Sequence, residues 1–150
     1  YTWRTLTYAE WNYLIAKRTN ASKLYCLAKV GETNGLIILP DCWITPHGFS
    51  LTTGSKISYD EQFFTLEQWQ VLESAGAILL PAAGIRIGVS STTVNTDIAY
   101  KNTGGYWSAS KTGTAGYQLR FESKTVAVDA SGAYNSITSG RSVRLVKDVE

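Results

Sequence analysis

The chain is expected to fold as an α+β domain: two short helices packed on small antiparallel sheets, joined by long loops. Three observations predict this class. Two segments open with the residue pattern of a helix capping box. Two apolar runs flank a glycine-bearing turn, which marks a hairpin. The C-terminal third is a succession of short strands, one of which alternates apolar and polar residues with a period of two.

In chain order, Thr7-Tyr-Ala-Glu10 is the first capping box, where hydroxyl and carboxylate satisfy each other's orphan backbone N–H groups. Trp11, Leu14 and Ile15 follow on one face, and Arg18 is expected in the last turn, where a cation suits the helix dipole. Leu24 to Val30 and Gly35 to Leu39 form the hairpin, with Gly31-Glu-Thr-Asn34 as a four-residue turn. Residues 40–64 lack sustained periodicity, and a connection of that length is usually packed by its own side chains or functional. Thr65-Leu-Glu-Gln68 caps the second helix, which buries Trp69 and Leu72 and stops at Gly76. A short apolar run, Ala77 to Leu80, follows it. Four further strands are expected at Gly105 to Ser110, Tyr117 to Phe121, Thr125 to Val128 and Ser142 to Lys147. In the second of these, Tyr117, Leu119 and Phe121 point inward, and Gln118, Arg120 and Glu122 outward. Val126, Val128, Val143 and Leu145 continue the inward set.

The whole of 1–150 is long enough to bury one sizeable core and is taken as one domain. It opens at Tyr1-Thr2-Trp3 without an initiator methionine, which reads as a domain from a longer protein. A net charge of +2, with the second half's basic residues scattered, points away from nucleic acid. No segment approaches the roughly 20 apolar residues that span a bilayer, so this domain is not expected to insert in a membrane. Five Trp and nine Tyr supply core area, and they are also the residue types enriched at binding surfaces. Cys26 and Cys42 permit one disulfide and fit equally well with two free buried thiols.

Catalytic chemistry finds little to work with. Metal sites need several ligands brought together, and the one His, His47, sits in a Pro-His-Gly loop. Any His-based triad would have to use it, and no Gly-x-Ser-x-Gly elbow is present. Gly84-Ile-Arg-Ile-Gly88 lacks the strand-turn-helix context of a phosphate loop. No pair of acids is singled out for glycoside hydrolysis. The expectation is a non-enzyme with no metal and no cofactor.

Several strings, in order, resemble the Fibrobacter major paralogous domain: Leu6-Thr-Tyr-Ala-Glu-Trp11, Arg18-Thr-Asn-Ala21, Gly35-Leu-Ile-Ile-Leu-Pro-Asp-Cys-Trp43, Leu80-Pro-Ala-Ala-Gly84, Tyr106-Trp-Ser108 and Gly140-Arg-Ser-Val-Arg-Leu-Val146. The resemblance runs over nearly the whole chain. It implies a C-type-lectin-like fold of the formylglycine-generating-enzyme type, in a cell-surface, extracellular or phage-virion protein. A related set comprises the variable proteins of diversity-generating retroelements, in which the C-terminal block contacts ligand. Departures from the pattern limit what carries over. The C-terminal cysteine pair of the formylglycine-generating oxidases is missing, as are the Glu-Pro-Asn, Gln-Pro-Asp and Trp-Asn-Asp motifs of calcium-dependent lectins. Retroelement mutagenesis acts on adenines, often in Asn codons ending in C, which do not yield the Gln118, Glu122 and Lys124 found here.

The expected function is ligand binding and display, through a contact face built from Tyr106, Gln118, Arg120, Glu122, Asp129, Ser131, Tyr134, Asn135 and Arg141. Outward alternation beside a small-residue loop bearing Tyr134 is the polar-plus-aromatic mixture used by paratopes. The partner would be a protein or a glycan. Alternatives are a retroelement variable protein and a structural module of a surface filament or phage tail, which would instead self-associate or bury a large interface.

Overall fold

The computed structural model describes residues 2–90, 93–95, 102–129 and 137–148. In chain order they form β1 (Arg4–Thr5), α1 (Tyr8–Asn12) continued by a π-helical turn (Tyr13–Lys17), a 3-10 turn (Ala21–Lys23), β2 (Tyr25–Val30) and β3 (Thr33–Ile38). A second 3-10 turn (Tyr59–Glu61), β4 (Phe63–Phe64), α2 (Leu66–Ser74) and β5 (Ile78–Pro81) come next. The remainder is β6 (Ile87–Ser90), β7 (Thr93–Asn95), β8 (Gly104–Thr112), β9 (Ala115–Glu122), β10 (Thr125–Asp129) and β11 (Leu145–Val146). The class is α+β, with two short helices and several small sheets.

A four-stranded sheet, ordered β4-β2-β3-β5, forms a middle layer with apolar packing on both faces. Tyr25, Leu27, Leu36, Ile38 and Leu80 point to one side, where they meet Trp11 and Ile15 of the first helical segment and Tyr106, Leu119 and Phe121 of the C-terminal strands. Cys26, Ala28, Val30, Ile37 and Leu39 point to the other, against Trp69 and Leu72 of α2. Strands covered on both faces need unbroken apolar runs, which explains the sequence of β2 and β3. Trp43, Phe49 and Leu51 pack on this second core, so the long connection is held by its own side chains.

Both capping boxes form as the sequence predicts. The hairpin differs: Val30 pairs with Thr33, so the loop is the two residues Gly31 and Glu32, with Gly31 at φ 56°. Two-residue hairpin loops favour glycine at such a position. The last expected strand shrinks to β11, which pairs with β1. Val143 and Leu145 are exposed, not inward. Neither cysteine is in a disulfide. Cys26 is buried, with its thiol pushed up to about 12 by desolvation, and Cys42 is exposed.

Arg18 departs furthest from expectation. The π turn ends at it, and instead of lying in the last turn its side chain is buried. Its Nε donates to Leu14 O at 2.8 Å, Nη2 to Leu24 O at 2.8 Å, and Nη1 to Leu39 O at 2.8 Å and to Asp41 Oδ1 at 3.0 Å. Leu24 precedes β2 and Leu39 follows β3, so one guanidinium ties the helix end to both open ends of the hairpin.

Near the termini, Arg4 forms a bidentate pair with Glu10, at 2.9 and 2.7 Å, and reaches Asp148 at 2.8 Å. The Arg4 guanidinium and then the Thr7 N–H hold the Glu10 carboxyl down at about 2, against 4.5 for a free one. A depressed carboxyl pKa contributes stability that is complete above pH 4.5 and lost as pH falls toward 2. The stability gap between wild type and Glu10→Gln is therefore expected to be constant above that range and to close toward pH 2, as read by urea unfolding at each pH. For Arg18, replacement by Ala removes a hydrogen bond from each of three carbonyls, of which Leu24 O keeps its bond from Leu39 N, and is expected to cost about 3 kcal/mol or more, a fall of roughly 6–12 °C in Tm. Arg18→Lys is expected to lose nearly as much, because an ammonium cannot serve three carbonyls in a fixed fork. Recovery of most of the stability by Lys would instead mean that the Asp41 ion pair dominates.

Candidate functional site: the outer face of the C-terminal sheet

β8, β9 and β10 form an antiparallel sheet whose registers assign the paired side chains to a face. Directly paired residues share a face, and successive rows alternate. Tyr106, Leu119 and Val128 make one row; Gly104, Phe121 and Val126 make the next row on that same side. This side is the first core. The other side carries Trp107, Gln118 and Asp129 in one row, then Gly105, Arg120 and Ala127, then Glu122 and Thr125.

The outer side is partly roofed. Gly140 exchanges backbone hydrogen bonds with Arg86, at 2.8 and 2.7 Å. Ser142 N donates to Gly105 O at 2.9 Å, and Trp107 N to Ser142 O at 3.0 Å. This stitching along the edge of β8 lays Arg141 over the sheet, with its guanidinium carbon 4.7 Å from the Trp107 ring centroid. Burial first, and the nearby Arg120 second, bring the Arg141 pKa down to about 10, with Asp129 opposing. Two glycines permit the close approach. A Cβ on Gly116 would lie 2.5 Å from the Trp107 ring, and one on Gly105 would lie 3.1 Å from Ile85 and 3.5 Å from the Arg141 stem. Arg120 and Glu122 pair at 2.9 Å, both about a third exposed.

Five of the residues expected to form a contact face, Gln118, Arg120, Glu122, Asp129 and Arg141, are brought together on this side. Two expectations need correction. Tyr106 belongs to the core: it is 5% exposed, stacks on Phe121, and donates its hydroxyl to Pro81 O at 3.0 Å. Its neighbour Trp107 takes the outward position, because one residue along a strand reverses the face. Gln118 lies on the outer side yet is only 2% exposed, enclosed in the row between Trp107 and Asp129. Ser131, Tyr134 and Asn135 lie outside the described residues.

The sequence reading missed Trp107, Ile85 and the two glycines. Glycines within strands often mark a close approach, and Gly105 and Gly116, each directly before a tyrosine, were that signal. It also missed the irregularity in β8 between Trp107 and Lys111, where Ser108 Oγ accepts from Ser110 N at 3.1 Å. Chemically the face offers two guanidinium groups, two carboxylates and an indole. Among the described residues, no group of three His, Cys, Asp or Glu is placed to hold a metal, and no helix is long and apolar enough to cross a membrane. Compared with family models, curated proteins and solved structures, the chain matches none.

Gly116→Ala is expected to cost about 1–3 kcal/mol by pushing the indole off the strand. In a Trp107→Ala background the same change should cost little. Denaturant unfolding of the four proteins in that cycle measures the coupling.

Proposed function

We propose that the chain is a non-catalytic binding and display domain of C-type-lectin-like fold, akin to the Fibrobacter major paralogous domain, at a bacterial or phage surface. The observation that carries this reading is the segregation of the C-terminal sheet. One side is core, and the other gathers Arg120, Glu122, Asp129 and the Arg141–Trp107 stack, with mixed charge and an aromatic centre. Such a composition suits a protein or glycan partner, and nucleic acid would call for a denser basic surface. Ser131, Tyr134 and Asn135 follow Asp129 in the sequence, and the proposal retains them as expected contact residues.

The retroelement alternative becomes narrower on this geometry. A diversified position must accept many side chains, and enclosed Gln118 does not. Diversification would fall on Arg120, Glu122 and the chain after Asp129.

The test is to display the domain, select ligands from protein and glycan arrays, and compare Arg120→Ala/Glu122→Ala and Tyr134→Ala with wild type. At least tenfold weaker binding of recovered ligands, with unchanged Tm, is expected. Unchanged affinity in both variants for every recovered ligand would falsify the assignment of the face.

A further inference from the structure

A groove of about 440 Å³ in the N-terminal half, separate from the sheet face, is lined by Tyr13, Thr19, Asn20, Lys23, Asp41 and Trp43. We propose that it binds a neutral saccharide. Two aromatic rings border it. Tyr13 is 48% exposed at the start of the π turn. Trp43 is half-buried, packs on the second core, and donates Nε1 to Thr45 Oγ1 at 3.1 Å. With its N–H engaged, the indole offers the groove an apolar surface, which suits the C–H face of a sugar ring.

The carboxylate of Asp41 is held in place from below. Buried Arg18 donates to Oδ1 at 3.0 Å, and the Tyr13 hydroxyl reaches Oδ2 at 3.4 Å. The side chain nonetheless stays 64% exposed. A carboxylate has about four lone-pair positions, so two contacts leave roughly half its accepting capacity for a ligand's hydroxyl donors. An acceptor fixed by a buried partner is preorganised, and this lowers the cost of binding.

Donors stand beside it. Among the described residues, no hydrogen bond or ion pair engages the side chains of Thr19, Asn20 or Lys23. Asn20 holds a left-handed backbone, φ 57°, a conformation that Asn and Gly adopt more readily than other residues. A hydroxyl, an amide and an ammonium facing a carboxylate match a vicinal diol, whose groups both donate and accept. The charges select against other ligands. Asp41 opposes an anion, while Lys23 and Arg18 oppose an organic cation. A purely apolar guest fits better in the neighbouring cleft of about 320 Å³, walled by Leu6, Trp11, Leu14, Ile38, Ile78 and Val146.

The experiment titrates the full chain with neutral gluco-, xylo-, manno- and galacto-oligosaccharides, followed by tryptophan fluorescence and calorimetry. Sialylated oligosaccharides and tetramethylammonium serve as charged comparators. Saturable binding of at least one neutral saccharide is expected. Asn20→Gly/Lys23→Ala should weaken it tenfold or more with Tm not lowered, since glycine accepts the left-handed backbone. Tyr13→Ala, at an exposed ring, should do the same. Arg120→Ala/Glu122→Ala, on the sheet face, should leave it unchanged, which separates this proposal from the preceding one. No binding by any neutral saccharide, a smaller loss in the groove variants, tighter binding of a charged comparator, or loss of binding in the sheet-face variant each overturns the proposal.

Discussion

A guanidinium removed from water is tolerated only where its donors are met, and Arg18 meets that condition with three main-chain carbonyls and one carboxylate. The three carbonyls belong to the end of the first helical segment, the entry to β2 and the exit from β3, which the guanidinium ties together at one point. Leu24 O also accepts from Leu39 N at 2.9 Å, so the guanidinium closes a small network in place of a simple ladder. With the helix end fixed to the hairpin, Trp11 and Ile15 are set over Leu27, Leu36 and Leu80. Everything packed on that core inherits the placement, including the C-terminal sheet.

The C-terminal sheet joins the body of the domain through its inner rows, and there the fit is governed by volume. Gly104 leaves room for the Phe121 ring, since a Cβ would lie 2.0 Å from it. Phe121 in turn stacks on Tyr106, whose hydroxyl reaches back to β5 at Pro81. On the outer side the same device operates in reverse: Gly116 lets an indole lie flat and Gly105 lets an arginine stem cross. The contact face is thus a thin polar layer over a tightly packed strand pair. A substitution there has different consequences according to whether it meets the glycine floor or the partly exposed Arg120–Glu122 pair.

Much of this was legible in the sequence, and where it was not the reason is local ambiguity or distance. The capping boxes were readable because every partner lies within three residues. The inward set Leu119 and Phe121 was readable because alternation in β9 is unbroken there. In β8 two aromatics stand side by side, so Tyr106 and Trp107 fit either phase, and only the pairing with β9 decides. Gln118 obeyed the alternation and is still buried, enclosed between Trp107 and Asp129 of the neighbouring strands, which alternation within one strand does not reveal. Arg18 was read as a dipole partner in the last turn of the first helix. Its carbonyl partners at Leu24 and Leu39 become visible only once the hairpin is folded.

The buried arginine also connects stability with recognition. Its three carbonyl bonds serve the fold, whereas its fourth contact reaches outward to a carboxylate that is mostly solvent-exposed. One partner of this pair is enclosed and the other open to solvent. Asp41 offsets the charge of the enclosed guanidinium, while the carbonyls satisfy its other donors. The same contact immobilises an accepting group at the edge of a groove in which the side chains of Thr19, Asn20 and Lys23 have no partners among the described residues. An acceptor fixed in this way loses little rotamer entropy when a ligand arrives, and that advantage matters only if something binds there.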